Sequence, residues 1–138
     1  DFTHDKKKMH LATRLLLVAM ALVGALGVAA WAEAKTIGCD GKRPGKNNWK
    51  FGMKPTLTVK GGVDKVKFTW SGATPHDVVQ VSKAQFDACD GTGGKSVGAL
   101  GLKGNVMLGP FASGTTTYFL CSVSGHCDKG QKVAITAA

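Results

Sequence analysis

Cys121, His126 and Gln131 follow one another with four residues between each pair, inside the stretch Tyr118 to Lys132. A loop that leaves one strand and enters the next can turn a thiolate, an imidazole and an amide oxygen toward one point. The segment after residue 34 holds one other histidine, His76, in a Thr74-Pro75-His76 turn just before the apolar run Val78 to Val81. Brought beside the Cys121 loop, that turn completes a set of two imidazoles, one thiolate and one amide oxygen. A soft thiolate with two imidazoles and a weak axial donor, Met or Gln, suits copper moving between Cu(I) and Cu(II). Two plainer readings compete. Cys121 as a small buried hydrophobe, with the histidines as loop decoration, leaves both spacings to coincidence. A structural zinc site takes four strong Cys or His ligands, which would recruit Cys127 and leave Gln131 without a role.

The elements that must position these residues read as β. Thr56 to Lys60, Lys65 to Trp70, Val78 to Val81, Asn105 to Leu108, Thr116 to Ser122 and Lys132 to Thr136 are short runs rich in Val, Thr, Phe, Leu, Ile and Tyr. Gly61-Gly62, Ser71-Gly72, Gly93-Gly94, Gly109-Pro110 and Gly125 punctuate them as turns. Several short strands at such spacing predict a sandwich or barrel. Only Ser82 to Cys89 looks helical, with Ser82 as N-cap, Gln85 three residues later, and Phe86 and Cys89 on one face. The Gly-rich stretch Gly91 to Gly104 reads as a long loop, with at most a short strand around Val97 to Leu102. Within it, Gly94-Lys95-Ser96 imitates the end of a phosphate-binding loop, but Cys89 stands where that motif needs its first glycine and no apolar strand leads in.

The chain has 138 residues and a formal net charge of +9. A basic stretch with Lys6, Lys7, Lys8 and Arg14 precedes an apolar run from Leu15 to Ala30 and then Ala32-Glu33-Ala34, the order of a secretory signal peptide. The apolar run is shorter than the roughly 20 residues that cross a bilayer and is diluted by Gly24 and Gly27. Residues 1-34 are therefore expected to be an N-terminal extension and leader, cleaved after Ala34, and 35-138 one domain. If the leader is retained instead, it anchors the chain to a membrane. Lys35 to Ala138 carries 14 Lys and Arg against 6 Asp and Glu. Those lysines are dispersed, and Lys65 and Lys67 alternate with Val66, Phe68 and Trp70 as the wet face of a strand, so no nucleic-acid partner is expected. The charge suits steering of an acidic partner or binding to an anionic matrix.

From Trp49 to Thr136 the chain resembles the phytocyanin family of blue-copper proteins, and within it the stellacyanin type. The likeness is carried by the His76 turn, Gln85-Phe86-Asp87-Ala88-Cys89, Tyr118-Phe119-Leu120-Cys121 and the block His126-Cys127-x-x-Gly130-Gln131-Lys132. Gln131 occupies the axial position at which stellacyanins carry Gln and most other blue-copper proteins Met. The resemblance implies a Greek-key, cupredoxin-like sandwich of seven or eight strands, a copper ion on His76, Cys121, His126 and Gln131, and a disulfide between Cys89 and Cys127. It also implies a non-enzymatic, one-electron carrier in an extracytoplasmic compartment; the alternative is an extracellular binding module in which copper is cargo or structural.

Cys39, in Gly38-Cys39-Asp40-Gly41, departs from that pattern. An odd cysteine in a secreted protein suggests a disulfide-linked dimer or a reactive thiol. There is no Asn-x-Ser/Thr sequon, and no polar spacer and greasy tail follow Thr136, so a lipid anchor is not expected.

Overall fold

The computed structural model describes residues 33–138. The expected leader falls outside the described residues as far as residue 32. Six strands and one helix follow in order: β1 (Thr36–Gly38), β2 (Thr56–Val59), β3 (Lys65–Val81), α1 (Lys83–Ala88), β4 (Lys95–Leu108), β5 (Thr116–Leu120) and β6 (Lys132–Ala137). They form one sheet in the order β1-β3-β5-β6-β2, with β4 paired to β3. β1 runs parallel to β3 and β2 parallel to β6, while β3 pairs antiparallel with both β4 and β5, and β5 with β6. The fold is thus all-β with one short helix, as the residue pattern predicts.

Two strands are longer than the sequence suggests. β3 joins the runs Lys65 to Trp70 and Val78 to Val81 through register shifts between Ser71 and Val79, and His76 lies inside this bent strand, paired with Gly101. The Thr74-Pro75-His76 turn is therefore a bulged corner within one strand. β4 occupies most of the stretch expected to be a loop. Its glycines argue against a strand by propensity, but they are what the Trp70 indole requires. A Cβ on Gly104 would fall 1.9 Å from a Trp70 ring carbon, and the indole Nε1 donates to the Gly101 carbonyl at 2.8 Å. Counting each bent strand as two gives eight, within the expected range.

Alternation along the strands sorts side chains onto two faces. Val66, Phe68, Val78, Phe119, Cys121, Val133 and Ile135 enter the main core with Trp49 and Cys39, whereas Val79, Val81, Leu120 and Ala134 meet Phe86 of α1 on the other side. Phe68, Phe119 and Ile135 are buried to 1% exposure or less, and each such side chain contributes roughly 1.5–3 kcal/mol. A six-residue helix has little stability of its own. It is held by a Ser82–Gln85 capping box, by Lys132 Nζ donating to the Phe86 carbonyl at 2.8 Å and by the Cys89–Cys127 disulfide at its end.

Cys39 is a free thiol enclosed in the core. It is 1% exposed, and its Sγ lies 3.2 Å from Asn48 Oδ1 and 3.3 Å from the Asn48 carbonyl. A sulfur packed in the core lends no support to a disulfide-linked dimer. Among the described residues no helix is long and apolar enough to cross a membrane.

Candidate metal centre

Cys121 follows directly on β5, and Gln131 directly precedes β6. The intervening loop is closed at its neck by backbone bonds between the candidate residues themselves. Cys121 N donates to the Gln131 carbonyl at 3.1 Å, and Gln131 N donates to the His126 carbonyl at 3.1 Å. His126 N is fixed to the Val123 carbonyl at 3.0 Å. Gly130 has φ of +84°, and a Cβ there would meet Gly52 N at 3.2 Å. The loop can thus lie against the Gly52–Met53 backbone, whose amides donate to Lys129 and Gly130.

Three of the four residues meet tightly. His76 Nδ1 and His126 Nδ1 are 3.1 Å apart, and Cys121 Sγ lies 3.4 Å from His126 Nδ1 and 3.9 Å from His76 Nδ1. A triangle with those sides has a centre about 2 Å from every corner, the length of a metal–imidazole bond. His126 and Cys121 are buried and His76 is half-buried. Gln131 is fully buried. Its Nε2 donates to the Trp49 carbonyl at 3.1 Å, while its Oε1 is the one buried side-chain polar atom among the described residues without a hydrogen-bond partner. Buried polar atoms are normally paired. An orphaned acceptor beside a triangle of soft and imidazole donors fits a metal that takes two His, one Cys and a weak oxygen.

Burial also sets protonation. The Cys121 thiol is pushed up to about 11 chiefly by burial, against backbone hydrogen bonds at Asp77 and Val123. His76 is held below the ordinary histidine value by burial first and then by the facing His126 ring; the Gln131 amide opposes this without closing a hydrogen bond onto the ring. A neutral imidazole is the form that binds a metal.

Three residues that sequence reasoning passed over complete the surroundings. Asp77, buried next to His76, accepts from Ser122 N at 2.7 Å and from the Ser122 hydroxyl, tying β3 to the residue after Cys121. Its backbone carbonyl accepts from Trp49 Nε1 at 2.7 Å, so Trp49 holds the neighbour of His76 with its ring and Gln131 with its carbonyl. Phe51, 42% exposed, sets its ring edge-on to His126 and His76, with centroids 4.9 and 5.9 Å away. The adjacency of Asp77 to His76 was the only local signal; the other two contacts are tertiary.

A family model described as a plastocyanin-like domain matches residues 57–131. A chemocyanin of Lilium longiflorum is 35% identical over 94 residues, which are 68% of this chain and 66% of that protein; the chain spans about two thirds of that relative's length. Cucumber basic protein, described as a blue copper protein, superposes with a TM-score of 0.52 at 27% identity, covering 65% of this chain and 90% of that one. Cucumber stellacyanin in a Cu2+ form superposes with a TM-score of 0.50 at 24% identity, over 76% of this chain and 98% of that one, a likeness of fold.

Proposed function

The chain belongs to the plastocyanin-like domain family, with phytocyanins among its relatives and copper as the family's cofactor, and from that premise we propose that it is a stellacyanin-type one-electron carrier working outside the cytoplasm. The observation that carries this reading is the His76, His126, Cys121 triangle with the unpartnered Gln131 Oε1 beside it. When bound, copper supplies a one-electron couple between Cu(I) and Cu(II). The chain's residues supply the rest. Cys121 would hold the metal as thiolate once its proton has left, His76 and His126 would hold it through Nδ1, and Gln131 would offer its amide oxygen. The sheet and the closed loop hold these donors in one arrangement, so little has to move when an electron arrives. His76, the less buried histidine, is the exit toward a partner, with Phe51 excluding water from the two rings.

Cu(II) loading is expected to give an intense visible thiolate-to-copper band, lost in Cys121→Ser. A Cys121→Ser protein that stays blue would sink the assignment. Export follows from the leader: N-terminal sequencing of the exported protein is expected to begin at Lys35, and a start within residues 1-34 would overturn cleavage after Ala34.

A further inference from the structure

Away from the metal centre, an open groove of about 580 Å³ lies on the outer face of β3 and β4. Lys46, Lys67 and Lys103 line it, and no acidic side chain does. Ladder pairing fixes its floor: Lys67 stands opposite Met107, Thr69 opposite Asn105 and Ser71 opposite Lys103. Lys67 and Lys103 are thus rooted four positions apart along the strands, ~13 Å, while Lys46 approaches from the loop before β2. Thr69, Ser71 and Asn105 stand between the lysines, and Trp70 lies beneath with its indole buried in the core.

Further basic residues lie along the neighbouring strand β1. A second, shallower depression of about 410 Å³ is lined by Lys35, Lys42 and Arg43. It lies along β1, whose Gly38 pairs with Lys67 and whose Thr36 pairs with Lys65. The nearby acids accept from backbone amides, Asp40 from Lys42 N and Asp64 from Lys35 N and Lys60 N. Among the described residues the one ion pair is Lys83 with Asp87. The lysines of the groove thus make no ion pair and have no acid in the lining, whereas the charged carboxylates of Asp40 and Asp64 lie close to the second depression.

We propose that this groove binds an acidic polysaccharide, a linear chain carrying a carboxylate on each sugar, independently of the metal centre. Charges rooted ~13 Å apart, with a second basic depression along the neighbouring strand, match a repeating anion better than a single small one. Between the lysines, Ser71 and Asn105 offer hydrogen-bonding side chains of the kind that meet sugar hydroxyls. An acidic protein would instead meet the rims of the groove.

The test titrates the full chain with polygalacturonate and with its fully methyl-esterified form, at low and at physiological salt. Binding is expected for the acid and not for the ester, and it should weaken with salt as exposed charges are screened. The triple variant Lys46→Gln, Lys67→Gln, Lys103→Gln should lose roughly a hundredfold in affinity, on a scale of a factor of about five per lysine against an anionic surface. A control triple, Lys60→Gln, Lys83→Gln, Lys95→Gln, removes the same charge outside both depressions and should lose far less. Matching thermal midpoints establish that both triples are folded. If midpoints differ, the charge reversal Lys103→Glu alone should still weaken binding more than Lys83→Glu. Equal losses in the two triples, equal binding of the methyl ester, no binding at low salt, or tighter binding of an acidic protein or duplex DNA of matched charge would each overturn the proposal.

Discussion

Gln131 is the residue whose role depends most on one atom. Its Nε2 donates to the Trp49 carbonyl, and its buried Oε1 has no hydrogen-bond partner. An amide oxygen is a harder donor than a thioether sulfur and favours Cu(II) over Cu(I). Gln131→Met is therefore expected to keep the blue band, which belongs to the Cys121 bond, and to raise the reduction potential. Each tenfold shift in the preference between the two oxidation states moves a one-electron couple by about 59 mV. Voltammetry against the parent decides it, and an unchanged potential would mean that the metal does not feel Gln131. Cys121, His126 and Gln131 were legible together because one loop closed by its own backbone carries all three. His76 was legible only as the remaining histidine. Asp77, Trp49 and Phe51 could not be read as site residues, because what makes them so is where three separate strands and loops bring them.

Among the elements, the six-residue helix is the weak one and the ligand loop depends on it. Cys127 follows His126 directly, and its bond to Cys89 at the end of α1 closes a 38-residue separation. In the chain-entropy account, opening a loop of that length costs about 3–4 kcal/mol. The double variant Cys89→Ser, Cys127→Ser should lose stability on that scale in denaturant melts, and should release copper to a chelator faster than the parent. Loss of stability with unchanged copper release would separate the disulfide from the site. The helix itself was legible from its capping box. β4 was not, since Gly98, Gly101 and Gly104 read as a loop until the Trp70 ring that lies across them is known. β1 was missed as well, being three residues whose partner is 29 positions away.

At the scale of the molecule, the strand alternation and the sign of the surface were readable in advance, and the pairing order was not. One stability consequence follows from the site. His76 is held below its ordinary value near 6.5 in the folded chain, so the unfolded chain binds more protons as pH falls through that value. Metal-free protein should then lose stability from about pH 6.5 downward, until the folded imidazole also protonates. His76→Gln should flatten that part of the profile in thermal melts at pH 7 and pH 5. A parent and variant that fall in parallel would show that His76 carries none of the dependence.

The sheet order sets a sequence of events during synthesis. β2, near the start of the domain, has β6 as its neighbour, and β6 is the last strand described. A nascent chain that has passed β5 already holds His76 and is about to place Cys121, yet β2 has no strand to pair with and the loop carrying His126 and Gln131 has no second anchor. Pairings between chain segments this distant form late. The cluster of donors is therefore completed only once the last strand of the domain, β6, has emerged, so metal uptake belongs after translation of the domain rather than alongside it.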